Sequence, residues 1–195
     1  MRSYFVVFIF SLVISTVSAQ TKTINDEFNP SAMYPFGRPN PQAAQQITDF
    51  EELIGICNCE SIRRNSDGSW QDSSAMVWKF KYIMNGLAIQ DETWNADGSC
   101  ATSIRRFNPD SLNWVVSYYG SRAVPNTVSI WLGKRVNDQI ILKMPQKAPN
   151  GTEGTSRLTF YDISNNGFKW KGEWVSLDGS IVYPFWKIYC NKRNN

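Results

Sequence analysis

The stretch that most constrains the fold runs from Arg157 to Ile188, which reads as three consecutive antiparallel strands. Asn165-Asn166-Gly167 marks the first junction and Leu177-Asp178-Gly179-Ser180 the second. Asn and Gly supply the positive φ that tight hairpin turns need. In the middle strand Phe168, Trp170 and Trp174 share one face, and Lys169, Lys171 and Glu173 share the other. A chain built this way must bury one side of each strand and leave the other in water.

The same beat recurs upstream, with strand signals about every dozen residues from Phe50 onward. Leu53–Ile62 is the first expected strand. Ser73–Met84 is the second, with Met76, Trp78, Phe80, Tyr82 and Met84 alternating against Lys79 and Lys81. Asn85-Gly86 is a two-residue hairpin turn into Leu87–Trp94. Asn95-Ala96-Asp97-Gly98 turns into Ser99–Phe107, and Asn108-Pro109-Asp110 into Leu112–Tyr119. Thr127–Val136 and Gln139–Met144 follow, then a longer loop over 145–154. With no long helical pattern, the expected fold class is all-β: a single antiparallel up-and-down lipocalin-like barrel of roughly 8–10 strands.

The organisation ahead of the barrel is different. Residues 1–19 carry the parts of a secretory signal peptide: Arg2, an apolar run over Tyr4–Val17, and Val17-Ser18-Ala19 as cleavage site. The apolar run is shorter than the ~20 residues of a membrane span, so no membrane anchor is expected after cleavage. Residues 20–48 form a polar leader with Pro30, Pro35, Pro39 and Pro41, laid against the domain through Met33, Tyr34 and Phe36. A short helix near Pro41 through Ala43, Ala44 and Gln45 is placed to plug one barrel end. The barrel domain occupies 49–193, and the expected location is secreted or periplasmic.

Cysteine and charge usage narrow the function classes. The four cysteines, Cys57, Cys59, Cys100 and Cys190, all lie in the exported part, which favours two disulfides over free thiols. They lack the paired knuckles of a zinc site, so no metal is expected. Four cysteines allow three connectivities. In a closed barrel with an even strand number the last strand lies beside the first, so Cys190 can face Cys57, leaving Cys59 with Cys100. A net charge of +3 is too small for a nucleic-acid footprint. The chain has no histidine, which removes Ser-His-Asp and Cys-His catalysis and a haem held by a proximal histidine. No cofactor is expected. Asn150-Gly151-Thr152 is a glycosylation sequon, meaningful in a eukaryotic source.

Phe50-Glu51-Glu52-Leu53-Ile54-Gly55-Ile56-Cys57-Asn58 resembles a degraded F-D-F-W-I-G-E-W-D opening strand. That motif belongs to a widespread bacterial domain-of-unknown-function family of lipocalin-like (calycin) barrels. Asn85-Gly86 with Gln90-Asp91 is similar to the family's D-G…Q-D step, and Arg106-Phe107-Asn108-Pro109 with Trp114 to its R-x-Y-D-P…W segment. Arg157 to Phe160, Phe168, Trp170 and Ser176-Leu177-Asp178-Gly179 match its ending. Two departures touch the seam: Cys57 replaces the second tryptophan, and Asp178-Gly179-Ser180-Ile181-Val182-Tyr183 replaces D-G-G-x-x-W. The resemblance implies a barrel and no mechanism.

The chemistry-bearing feature is an aromatic inner surface, at an aromatic content of 14%. Trp78, Phe80, Tyr82, Trp114, Tyr118, Trp170 and Trp174 are the candidate ligand-binding rings, with Phe168 and Trp186 on the same faces. The competing reading is that these rings fill the core. Asp91, Arg106 and Arg157 are the candidate polar groups. A buried carboxylate and guanidinium must pair, giving either a structural salt bridge between strands or an anchor on a pocket floor. Asp91 and Glu92 point to opposite faces, and Glu173 faces out with Lys169 and Lys171, so no catalytic residue is nominated. The expected function is an exported barrel binding a small apolar or planar ligand. The alternatives are a barrel enzyme of cyclase, isomerase or lyase type acting on such a ligand, and a structural protein with a filled core.

Overall fold

A computed structural model describes residues 26–125 and 127–193. The expected signal peptide, 1–19, lies outside the described residues. Ten strands run in chain order: β1 Gly55–Arg63, β2 Ser74–Ile83, β3 Ala88–Asn95, β4 Cys100–Asn108, β5 Asn113–Gly120, β6 Ser129–Val136, β7 Gln139–Pro145, β8 Gly154–Ser164, β9 Gly167–Ser176 and β10 Val182–Lys192. Each pairs antiparallel with its sequence neighbour, and β1 pairs with β10, so the sheet is a closed up-and-down barrel. Closure leaves no strand edge unpaired, the usual way an all-β chain avoids edge-to-edge association.

The turns follow the residue chemistry. Asn85 and Gly86 hold φ of 53° and 76°, the positive values a tight hairpin requires. Gly86 has a second reason to be glycine: a Cβ there would lie 2.5 Å from the Arg38 carbonyl oxygen and 2.6 Å from the Asn40 nitrogen. The leader is docked on this turn. Tyr82 N–H donates to the Phe36 carbonyl (2.8 Å), Asn40 N–H to the Gly86 carbonyl (3.1 Å), and Phe28 N–H to Asn85 Oδ1 (2.9 Å). The expected contacts through Met33 and Tyr34 are replaced by these backbone bonds, and Met33 is 79% exposed.

Two 3₁₀ turns, Gln45–Thr48 and Glu51–Leu53, take the place of the expected helix, and Leu53 belongs to the second rather than to β1. They seal the end at which β1 begins. Ile47, Phe50 and Leu53 are buried there. Phe50 meets Trp114 edge-on at 5.0 Å and Phe160 at 5.9 Å. Such pairs add about 0.5–1.5 kcal/mol each beyond their area burial. Polar ties fix the plug: Trp114 Nε1 donates to Asp49 Oδ2 (2.9 Å), and Arg135 forks onto Glu52 at 3.0 and 3.3 Å. That guanidinium holds the Glu52 carboxyl below its ordinary pKa of 4.5.

The seam corrects the cysteine pairing. Cys59, not Cys57, is bonded to Cys190, and Cys57 and Cys100 are free thiols, one buried and one exposed. The reason is register: closure sets Cys59 directly opposite Cys190 and Cys57 opposite Lys192. Cys100 is exposed at the start of β4, opposite the exposed Trp94, whereas Cys59 is buried. The single bridge joins residues 131 apart in sequence across the closing strands.

Candidate functional site

Strand alternation sends one side chain in two to the interior, and the interior is filled at one end and open at the other. At the plugged end Phe50 meets Trp114 and Phe80 meets Phe168 edge-on at 5.0 and 5.9 Å, with Leu53 and Tyr82 buried in the same cluster. Toward the other end lies a cavity of about 750 Å³. Its walls include Met76, Trp78, Trp131, Leu142, Phe160, Trp170 and Trp186, and its mouth is framed by residues 120–125 and Gln146. A space of this size falls within the range of small-ligand pockets.

An ion pair lies on the floor. Asp91 and Arg105 are 3% exposed each, and Arg105 Nη2 donates to Asp91 Oδ2 at 3.0 Å. Trp78 Nε1 donates to the same oxygen (2.7 Å), and Ser103 N–H to Oδ1 (2.7 Å). Both carboxylate oxygens are therefore engaged, with three hydrogen bonds between them. The guanidinium is only partly engaged: its Nε and Nη1 are buried without a hydrogen-bond partner in the protein. The rings of Phe80, Phe50 and Phe160 surround it at 5.1, 5.3 and 5.9 Å. Trp131 Nε1 is a third buried donor in the cavity wall that bonds to nothing in the protein.

At the mouth the chemistry changes. Arg63 sits over Trp186, its Cζ 3.7 Å from the ring centroid. Trp186 is fixed beneath it, donating Nε1–H to Ser61 Oγ (2.8 Å) and meeting Trp170 edge-on at 5.1 Å. Partial burial, then the nearby Arg122, lower the Arg63 pKa from its ordinary value. Tyr118 faces the same space. Burial raises its phenol and the Arg63 charge opposes the rise. Arg122 is itself paired with Asp97.

The sequence-selected residues therefore divide. Trp78, Asp91, Tyr118 and Trp170 line the cavity. Phe80, Tyr82 and Trp114 belong to the filled end. Trp174 sits at the rim over Gly154, donating Nε1–H to the Gln146 carbonyl (3.0 Å). Arg106 is a correction: it is exposed on the outer face of β4, and its neighbour Arg105 takes the interior place. Arg157 is another, lying on the outer face of β8 and bonding Glu173 (2.9 Å). Glu173 shares the outer face with Lys169 and Lys171 as expected, yet is 5% exposed because Arg157 and Lys171 close over it. Arg63, Arg105 and Trp131 were missed. A count from the Asn95–Ser99 turn finds Arg105: pairing outward sets Ser103 opposite Asp91, and Arg105, two residues on, shares that face.

The barrel superposes on the crystal structure of Rv2717c from M. tuberculosis with a TM-score of 0.54 and 11% identity, covering 78% of this chain and 100% of that one. At this identity the likeness shows the fold alone. A redesigned β-barrel gives a TM-score of 0.32 and 11% identity, covering 74% of this chain and 94% of that one. No protein-family model matches the chain, and no curated protein matches it, so the opening-strand resemblance rests on its motifs.

Proposed function

We propose that the protein is an exported binding barrel for a small, largely apolar or planar ligand held in the mouth-side cavity. The observation that carries this reading is the cavity itself: about 750 Å³ kept open above a fully packed end, in a barrel rich enough in large rings to have filled it. Interiors normally pack to crystal-like density with few voids larger than a water molecule. A space this large, walled by Trp78, Trp131, Trp170 and Trp186, has the shape and surface of a ligand site. Export is supported by the signal-like residues 1–19 and by the Cys59–Cys190 bridge, a bond at home in an oxidising compartment. Among the described residues no helix is long and apolar enough to cross a membrane.

Tryptophan emission is the direct test, because four indoles line the space. Titration with a panel of planar and chain-like apolar molecules is expected to give saturable quenching. Ser156→Phe, which puts a ring into the cavity from a residue 2% exposed, is expected to remove it. A panel that leaves the emission unmoved would overturn the reading. For export, the mature protein is expected to begin at Gln20.

A further inference from the structure

The cavity has a polarity, and it specifies one end of the ligand. The charged residues that line it are Arg63, Asp91, Arg105 and Arg122. On the floor Asp91 and Arg105 cancel. At the rim Arg122 is answered by Asp97. The charge left over is Arg63, which has no carboxylate partner among the described residues and rests instead on the face of Trp186. The unmet hydrogen-bonding groups are of one kind, those of Arg105 lying on the floor away from Arg63. Arg105 Nε, Arg105 Nη1 and Trp131 Nε1 are all donors, and no unmet buried acceptor accompanies them in the wall.

We infer that the ligand is an amphipathic monoanion, bound with its apolar body between Trp78, Phe160 and Trp170 and its carboxylate at the mouth on Arg63. This rests on the binding reading above and adds the headgroup and the direction of entry. The head-out orientation follows from charge balance. A carboxylate driven to the floor would add a third charge to a pair that already sums to zero, in a region where an uncompensated buried charge costs several kcal/mol. At the mouth the same carboxylate meets the one unbalanced cation while keeping part of its hydration. Trp186, held by its bond to Ser61 Oγ, gives the guanidinium a ring to stack on, and a guanidinium fork matches two carboxylate oxygens. Tyr118, across the mouth, is a further donor within the field of Arg63.

The test uses a matched pair, pyrene butanoate and pyrene butanol, titrated against the mature protein by tryptophan quenching. The acid is expected to bind about tenfold or more tighter than the alcohol, the value of one charge-assisted hydrogen bond. The preference should shrink as salt is raised. In Arg63→Gln the acid is expected to lose its advantage over the alcohol; Arg63 is at the rim, so the variant is expected to fold. Arg122→Gln, whose charge Asp97 already engages, should weaken the acid far less. Equal binding of acid and alcohol, or an acid preference that survives in Arg63→Gln, would overturn the headgroup assignment and leave the cavity reading standing. If neither probe binds, the binding reading falls and this inference with it.

Discussion

The two ends of this barrel are built from the same alternating strands and come to opposite outcomes. At the plugged end rings meet edge to face, and the 3₁₀ turns are tied by Trp114–Asp49 and Arg135–Glu52. At the mouth a cation is left unpaired on an indole, and the rim exposes apolar side chains such as Val124 at 95% and Leu177 at 75%. The first end has the features of a folding core. The second carries the imbalances that a stable protein keeps only where they serve another purpose. The floor pair Asp91–Arg105 is the boundary, with both oxygens engaged on its acidic side and two donors unmet on its basic side.

Breaking that boundary should have the largest effect. Asp91→Asn leaves Arg105 as an uncompensated buried charge and is expected to cost about 3–5 kcal/mol in denaturant unfolding. The double variant Asp91→Asn/Arg105→Met removes both charges and should recover most of that loss. A double variant as unstable as the single one would show that the pair holds the floor by more than its charge balance.

Opening the seam comes next. Cys59→Ser/Cys190→Ser is expected to cost about 2–4 kcal/mol, since the bridge closes a long segment of the unfolded chain. The wild-type protein should react with a thiol reagent once when folded, at the exposed Cys100, and a second time only when denaturant uncovers Cys57. Burial also raises the Cys57 thiol pKa, which further suppresses its reaction in the native state.

At the mouth the ranking should reverse. Arg63→Gln is expected to leave stability within about 0.5 kcal/mol of the parent while removing the preference for an acidic ligand. A large loss of stability would mean that Arg63 belongs with the structural charges.

The smallest effect concerns the plug and pH. Arg135 holds the folded Glu52 carboxyl below 4.5. Its contribution is therefore fully present above pH 4.5 and is lost as pH falls through the lower folded value. The stability difference between the parent and Glu52→Gln should accordingly be present near neutrality and fade on acidification. Because the Glu52 side chain is still 34% exposed, the amplitude should be modest.

The meander, its turns and most inward faces were legible in the sequence, because a strand's face is a local property: Met76, Trp78, Phe80 and Tyr82 alternate cleanly and all point in. Where both faces carry mixed residues the local pattern fails. In β4 the run Ala101-Thr102-Ser103-Ile104-Arg105-Arg106 favours neither side: an inward Ile104 predicts an inward Arg106, whereas hairpin register puts Arg105 there. Glu173 shows a different limit. Its face was read correctly, but its burial depends on side chains from β8 and β9 closing over it, which no single strand records.

By itself, then, the sequence determined an all-β chain of short antiparallel strands, an aromatic interior and the absence of histidine chemistry, because these depend on alternation, turn residues and composition. Only the tertiary structure decided that Cys59 rather than Cys57 meets Cys190, that Asp91 and Arg105 form a buried pair, and that Arg63 stands unpaired at an open mouth. Each of these turns on register or closure between strands, and a shift of one or two residues in either exchanges one partner for another without changing any local signal.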